Sequence, residues 1–317
     1  MYSHRISALF ILAFWVVSMT WLTWTKILPS TRIGESPQHA DVLPNRPEKL
    51  PTIHWEILLN AEPIGWATND VERLADGQGT VESVVHLEKL SLDLVVRQGF
   101  ANLAMLATRG LGGSDHPLSL TVRNEIQLEH FGQLRSFECD VVEQNLGELI
   151  RLQGTVHNDD ELVVKAYLLM SASTAASPEL LHELRLSLPA EKLLIDSFSP
   201  RPRFGRLRLG QSWTFETYNP FFPGRPMQTV NARVLGLQTI QRNAKNIRTY
   251  HVTYERAGDN GLSVGKKIGD VWVSTDGTVI RQTATWGSLK LTFNRLAAGP
   301  ASLSGAAEGP PREEGAP

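Results

Sequence analysis

Between residues 53 and 295, apolar and polar residues alternate in short runs that predict β-strands. In the clearest run, 118–128, leucine, valine and isoleucine recur with a spacing of two, interrupted only by Asn124. Successive side chains of a strand point to opposite faces, so this spacing predicts a strand with one buried and one solvated face. Similar runs occupy 53–59, 81–87, 137–141, 150–152 and 162–168.

The second half of the chain continues the same pattern. Runs that predict strands lie at 212–217, 228–235, 248–255, 269–274, 278–285 and 288–294. Short polar or glycine-containing links separate most runs, which is typical of an antiparallel meander. Residues 275–277 (Thr-Asp-Gly) predict a tight hairpin, because glycine tolerates the positive φ that such a turn needs.

Only two short stretches have a helical pattern. In 100–108, Leu103, Ala104 and Ala107 share one helical face, and Gly110 is a suitable stop. Residues 178–184 form a second, shorter candidate. The predicted fold is therefore mainly β. It consists of an N-terminal transmembrane helix followed by a curved antiparallel sheet or two related β halves, with one or two short helices.

The transmembrane prediction rests on 6–25, a run without charged residues. At about 1.5 Å per residue, about 20 helical residues span roughly 30 Å, the thickness of the hydrocarbon core of a bilayer. Trp21 and Trp24 suit the interfacial aromatic belt. His4 and Arg5 precede the run, and Lys26 follows it.

Three kinds of N-terminal segment contain an apolar run of this sort. A cleaved signal peptide needs a shorter apolar core and small residues at its end, where this chain has Trp21, Trp24, Lys26 and Ile27. A lipoprotein signal needs a cysteine there. An uncleaved signal anchor fits best, and its short N-terminal tail favours an exported C-terminal domain.

The predicted organisation has four parts. Residues 1–28 are the tail and anchor, and 29–51 are a proline-rich spacer. Residues 52–296 are a β-rich exported domain, whose two halves are 52–184 and 205–296 if it is divided. Residues 297–317, rich in alanine, glycine, proline and glutamate, are predicted to be disordered.

The composition restricts the cellular location and the classes of partner that we expect for this protein. The 317 residues carry a net charge of −2, so no overall positive field attracts nucleic acid. A single cysteine, Cys139, excludes an intrachain disulfide, and no N-x-[ST] sequon occurs. We therefore expect a single-pass protein of the bacterial inner membrane, with its C-terminal domain outside the cytoplasm.

The sequence contains no recognisable catalytic or metal-binding motif. Cys139 shares a strand face with Phe137 and Val141, which predicts burial rather than a reactive thiol. The nine histidines lack metal-ligand spacing. The polar stretches 115–117 (Asp-His-Pro) and 259–261 (Asp-Asn-Gly) are interpreted as turns. We predict no cofactor and no metal.

One basic cluster stands out, formed by the four arginines at 201, 203, 206 and 208. Pro200 and Pro202 keep this stretch extended. It is interpreted as a solvated linker between the two halves. The alternative is a contact with anionic lipid headgroups or with the acidic surface of a partner.

Three segments carry a resemblance to known proteins: 55–66 (WEILLNAEPIGW), 209–221 with LGQSW and YNPF, and 270–281 (DVWVSTDGTVIR). They resemble the non-catalytic β regions of bacterial exported transglutaminase-like proteins, and also LolA-like half-open-barrel envelope proteins, over most of 53–295. The resemblance implies a curved sheet around an apolar hollow, often used to hold acyl chains. The transglutaminase-like enzymes carry a Cys, His and Asp triad, which is not recognisable in this sequence. The resemblance therefore implies an accessory module without the enzyme.

Three functional hypotheses follow. The first is a non-enzymatic envelope module that binds a lipid acyl chain or an envelope protein, with Trp213, Trp272 and Trp286 as candidates to line the cavity. The second is a hydrolase or transferase that uses scattered Asp, Glu and His residues, with Glu125, Glu129 and Glu138 as candidates. The third is an accessory subunit of a membrane complex, such as a transporter, that docks through its helix.

Overall fold

The computed structural model describes most of the predicted β region. The described residues are 14–21, 39–90, 117–130, 132–157, 161–169, 179–187, 193–194, 199–218, 227–242, 244–257, 265–286 and 289–297. The predicted helix at 100–108, the turn at 259–261 and nearly all of the predicted tail lie outside them.

Sixteen strands account for most of the described residues. They are β1 (Glu48–Lys49), β2 (Ile53–Leu59), β3 (Glu62–Arg73), β4 (Gly79–Leu90), β5 (Leu118–Leu128), β6 (Leu134–Glu143), β7 (Gly147–His157), β8 (Glu161–Leu168), β9 (Glu179–Ser187), β10 (Leu193–Leu194), β11 (Ser212–Tyr218), β12 (Met227–Arg242), β13 (Lys245–Arg256), β14 (Lys267–Ser274), β15 (Val279–Trp286) and β16 (Leu289–Arg295). A 3-10 turn at His39–Val42 precedes them.

These strands form one large sheet, which confirms a mainly β fold. The order is β10-β11-β12-β13-β14-β15-β16-β2-β3-β4-β5-β6-β7-β8-β9, and β1 pairs with β3. All pairs are antiparallel except β10 with β11. The C-terminal β16 pairs with the N-terminal β2, so strands from both halves of the chain belong to one sheet.

One face of this sheet carries the core, and we call it the inner face. Its apolar side chains come from both halves of the chain and form a single cluster that includes Trp55, Val164, Trp213 and Val252. The opposite, outer face carries the polar positions of the predicted alternation. Every strand run predicted from alternation is a strand in the structure, and Gly277 in the predicted hairpin has a φ of 86°.

Residues 199–208, which we call the strap, cross the inner face. The backbone N–H of Phe204 donates to the carbonyl of Gly277 at 2.8 Å, and that of Val279 donates to Pro202 at 3.2 Å. Phe204 and Leu207 are buried in the core. The interpretation of this stretch as a solvated linker is therefore wrong, because its apolar residues cover the inner face. The side chains of Arg206 and Arg208 remain exposed.

The predicted spacer at 29–51 is also shorter than expected. Val42 and Leu43 are buried in the core, and β1 pairs with β3. The chain therefore joins the folded domain before residue 51, because two apolar side chains contribute to the core there.

The predicted helix at 178–184 is wrong, since this stretch belongs to β9. It pairs in antiparallel register with β8, and Leu184 and Leu186 pack against the core. Burial of these side chains beside a neighbouring strand outweighs a weak local helical preference.

At the N-terminus, residues 14–21 of the predicted anchor are described and are helical. Among the described residues, no helix has both the length and the apolar character needed to span a membrane. The signal anchor stays a prediction.

Candidate functional site

The strand registers align eight polar and aromatic side chains across eight consecutive strands of the outer face. We call this line the outer row. From β13 through β16 and then β2 to β5, its members are His251, Trp272, Arg281, Asn294, Glu56, Trp66, His86 and Thr121. Adjacent strands lie about 4.8 Å apart, so neighbouring side chains of the row are within contact distance.

The first half of the outer row is a stack held by hydrogen bonds. The rings of His251 and Trp272 are nearly parallel, with centroids 5.0 Å apart. The guanidinium of Arg281 lies 5.9 Å from the Trp272 ring, and its Nε donates to Asn294 Oδ1 at 2.8 Å. Trp272 Nε1 donates to Gln238 Oε1 at 2.8 Å. These contacts fix the orientation of each ring on the sheet.

Asp270, two residues before Trp272 on β14, holds this stack in place through His251. The side chain of Asp270 is only 10% exposed, and its Oδ1 lies 2.8 Å from both His251 Nε2 and Lys267 Nζ. The backbone N–H of Asp270 donates to Thr283 Oγ1 at 3.1 Å. A buried carboxylate needs such partners, and in turn it holds the imidazole in one orientation.

The second half of the outer row is centred on Trp66. Its side chain is 39% exposed, and its ring lies 5.4 Å from that of His86. His86 Nδ1 lies 2.9 Å from Thr121 Oγ1, and its Nε2 lies 3.4 Å from Glu88. Between the two halves, the side chain of Glu56 makes no hydrogen bond or ion pair with the described residues, so its carboxylate is available to a ligand or partner.

The structure places the predicted cavity tryptophans in different environments. Trp213 is buried in the core of the inner face, whereas Trp272 belongs to the outer row. The side chain of Trp286 lies outside the described part of the chain. Trp213 and Trp272 are therefore not brought together in one cavity.

The three acids of the enzyme hypothesis lie on the outer face. Glu125 and Glu138 are direct cross-strand neighbours, and the same line includes Asp70 and Glu82 on β3 and β4. We call these four residues the acidic row. Glu129 lies outside it and approaches Arg135 at 3.6 Å. Within the described ranges, no group of three His, Cys, Asp or Glu residues is arranged to hold a metal.

Like charges at directly opposed positions destabilise a sheet, which makes the acidic row testable. We expect Glu125→Lys to raise the free energy of unfolding by about 1 kcal/mol, because lysine attracts Glu82 and Glu138 instead of repelling them. Urea unfolding followed by circular dichroism measures the change. Thr155→Lys, an exposed position of β7 between Ser136 and Val163, is the control.

Thr155→Lys is expected to change stability by less than about 0.5 kcal/mol. The gain from Glu125→Lys is expected to shrink in high salt, since exposed charges are screened. An equal effect of both variants at low salt would rule out repulsion within the acidic row.

A second line of polar groups lies on the inner face, where it holds the strap. Ser199 of the strap is 2.6 Å from Ser83 Oγ and accepts a hydrogen bond from Asn124 Nδ2 at 3.0 Å. Trp55 Nε1 donates to Asn69 Oδ1 at 2.6 Å on the same line. Cys139 follows Asn124 across the sheet and is buried, as its sequence context predicts.

Sequence patterns did not single out most members of the outer row. Trp66, His86 and His251 occupy outward positions of alternating strands. An aromatic or imidazole ring at an outward position is the sequence feature that could have identified them. Which of these rings are neighbours depends on the register between strands that are distant in the sequence.

Comparison with known proteins gives no family for this chain. No protein-family model matches it, and no curated protein matches it. One similar solved structure is a β-barrel-like protein of the domain of unknown function DUF1849 from Brucella abortus, at 10% identity and a TM-score of 0.46, covering 79% of this chain and 96% of that one. Another is a DUF1089 family protein from Pseudomonas aeruginosa, at 13% identity and a TM-score of 0.31, covering 68% and 88% respectively. The resemblance to transglutaminase-like and LolA-like proteins stays a prediction.

Proposed function

We propose that this protein is a membrane-anchored, non-enzymatic binding module of the bacterial envelope, and that the outer row docks another envelope protein. The observation that supports the proposal is the line of rings and charged groups on the outer face. Tryptophan and arginine dominate the binding energy of many protein interfaces. Trp66, Trp272 and Arg281 supply these residue types on one surface.

The rigidity of the outer row also suits binding. His251 is held by Asp270, Trp272 by Gln238, and Arg281 by Asn294. Side chains that are already ordered lose little conformational entropy when a partner binds. The predicted anchor at 6–25 would keep this surface close to partners in the inner membrane.

Site-specific photo-crosslinking in the bacterial envelope tests this proposal on the full chain. A photoreactive phenylalanine analogue at position 56 lies between the two halves of the outer row. We expect it to capture one defined protein, and we expect Trp66→Ala or Trp272→Ala to reduce the captured product at least about tenfold, as for residues that dominate an interface.

The control places the same analogue at Thr155, an exposed outer-face position that does not belong to the outer row. Capture of the same protein from position 155, or capture from position 56 that neither tryptophan variant reduces, would contradict docking through the outer row.

A second candidate function is acyl-chain binding on the inner face, which is favoured by the single apolar cluster that this face carries. There the strap occupies part of the space that a ligand would need, so a lipid would have to lie beside it or displace it. A lipid mass that copurifies with the full chain in native mass spectrometry would support this candidate.

The third hypothesis is an accessory subunit of a membrane complex. In that case the protein would dock through its predicted anchor and not through the outer row, and cross-links from residues 6–25 would favour it.

A further inference from the structure

Three arginines from distant parts of the chain lie at the same end of the sheet, because the registers place the β12–β13 and β14–β15 turns at this end. Arg203 belongs to the strap, Arg242 ends β12, and Arg295 ends β16. A bridge from Arg203 to Thr278 places the strap at the β14–β15 turn. Arg295 Nη1 donates to the carbonyl of Pro202 at 3.0 Å, so the end of β16 is held against the strap. We call these three residues the arginine cluster.

Within the described part of the chain, the charges that act on Arg295 come from two arginines and one carboxylate. Burial, together with the charges of Arg242 and Arg203, lowers the pKa of Arg295 to about 10. Asp276 is the acid that acts on Arg295, but its carboxylate already accepts hydrogen bonds from Ser274 Oγ and from Thr278 Oγ1. None of the three guanidinium groups forms an ion pair with a described residue.

Such an arrangement costs stability unless an anion joins it. Removing a guanidinium group from water is unfavourable, and like charges that repel add to this cost. The planar guanidinium group matches the oxygen spacing of phosphate and carboxylate groups and donates two hydrogen bonds at once. The Trp55 ring, 5.9 Å from the Arg295 guanidinium, adds a cation–π contact that orients it.

We propose that Arg203, Arg242 and Arg295 form a binding site for a phosphate group at this end of the sheet. The ligand is either free inorganic phosphate or the phosphodiester of an anionic phospholipid headgroup, since both present the same charged oxygens. The site goes beyond the proposed function, because it joins the strap to the strand ends and contains no member of the outer row.

Isothermal titration of the full chain in a non-ionic detergent tests this site with two probes. The first is inorganic phosphate. The second is dihexanoyl phosphatidylglycerol, a soluble anionic phospholipid, compared with dihexanoyl phosphatidylcholine. We expect saturable binding of at least one anionic probe, and weaker binding at higher ionic strength.

Arg242→Gln is the main variant, because the Arg242 side chain makes no hydrogen bond with the described residues and its loss leaves the strap contacts intact. We expect it to weaken the affinity about tenfold, as for loss of one charge-assisted hydrogen bond. Arg208→Gln, at an exposed position of the strap, is the matched control and should bind as the wild type does. Arg203→Gln is a second variant that should also weaken binding.

The two probes separate the two sources of the phosphate group. Binding of inorganic phosphate that depends on Arg242 identifies a free anion as sufficient. Binding of phosphatidylglycerol alone, again dependent on Arg242, identifies the lipid headgroup. The proposal is overturned if neither probe binds, or if Arg208→Gln weakens binding as much as Arg242→Gln. Neither result would change the cross-linking outcome at the outer row.

Discussion

Replacing Trp55 by alanine is expected to lower the free energy of unfolding by about 3–5 kcal/mol. The side chain is fully buried in the core, and its indole N–H donates to Asn69 Oδ1 at 2.6 Å. Truncation removes a large apolar contact area and leaves a cavity. It also leaves the buried Asn69 Oδ1 without this donor, which adds to the cost.

Trp66→Ala is the matched control for this variant. Trp66 lies on the neighbouring strand but faces outward, and 39% of it is exposed. We expect its loss to cost less than about 1.5 kcal/mol, which is the range for one aromatic contact at the surface. Urea unfolding followed by circular dichroism compares the two. A Trp55→Ala protein as stable as Trp66→Ala would contradict the assignment of inner and outer faces.

Gly65→Ala is expected to have the second largest effect, a loss of about 1–3 kcal/mol. A Cβ atom at this position would lie 1.9 Å from the backbone carbonyl oxygen of His86. Backbone atoms of a paired strand cannot move aside as a flexible side chain does, so β3 and β4 must separate locally. Because Trp66 and His86 flank this contact, we also expect Gly65→Ala to reduce cross-linking from position 56.

Gly236→Ala is the control for backbone crowding. Gly236 lies at a β-bulge on β12, and a Cβ atom there would meet nothing within 4 Å. We expect its stability to stay within about 0.5 kcal/mol of the wild type. If both glycine variants unfold at the same urea concentration, close strand approach at Gly65 is not the cause of any loss.

Alternation predicted the strands well because half-buried strands obey a strict period of two. The run at 118–128 became β5, and the turn at 275–277 became the β14–β15 hairpin. The stretch 178–184 was predicted as helix and is strand, since its local pattern is short. Leu184 and Leu186 gain more from packing on the core beside β8 than from a helical turn.

The strap shows why a linker can be misjudged from composition. Arginine, proline and glycine between 199 and 208 indicate a solvated segment when they are considered one by one. Phe204 and Leu207 are buried, however, and Ser199 is tied to Ser83 and Asn124. These partners lie 75 or more residues away in the chain, so no local pattern contains them.

The candidate surfaces depend on the tertiary structure to a greater degree than the strands do. Trp272 was singled out as a cavity residue, yet its ring stacks on His251 on the outer face. The outer row exists because β16 pairs with β2, which brings Asn294 beside Glu56. The arginine cluster exists because the strap passes the end of the sheet where β12 and β16 end.

The order of residues alone was enough to identify a β-rich domain, its strands and the hairpin turn, because each depends on neighbours within a few positions. The pairing of β16 with β2, the course of the strap, and the assembly of the outer row and the arginine cluster were decided by the tertiary structure. These features arise from contacts between residues far apart in the chain, which bury the inner face and set the register of the strands. A periodic pattern shows which face of a strand is buried but does not show which strand lies beside it.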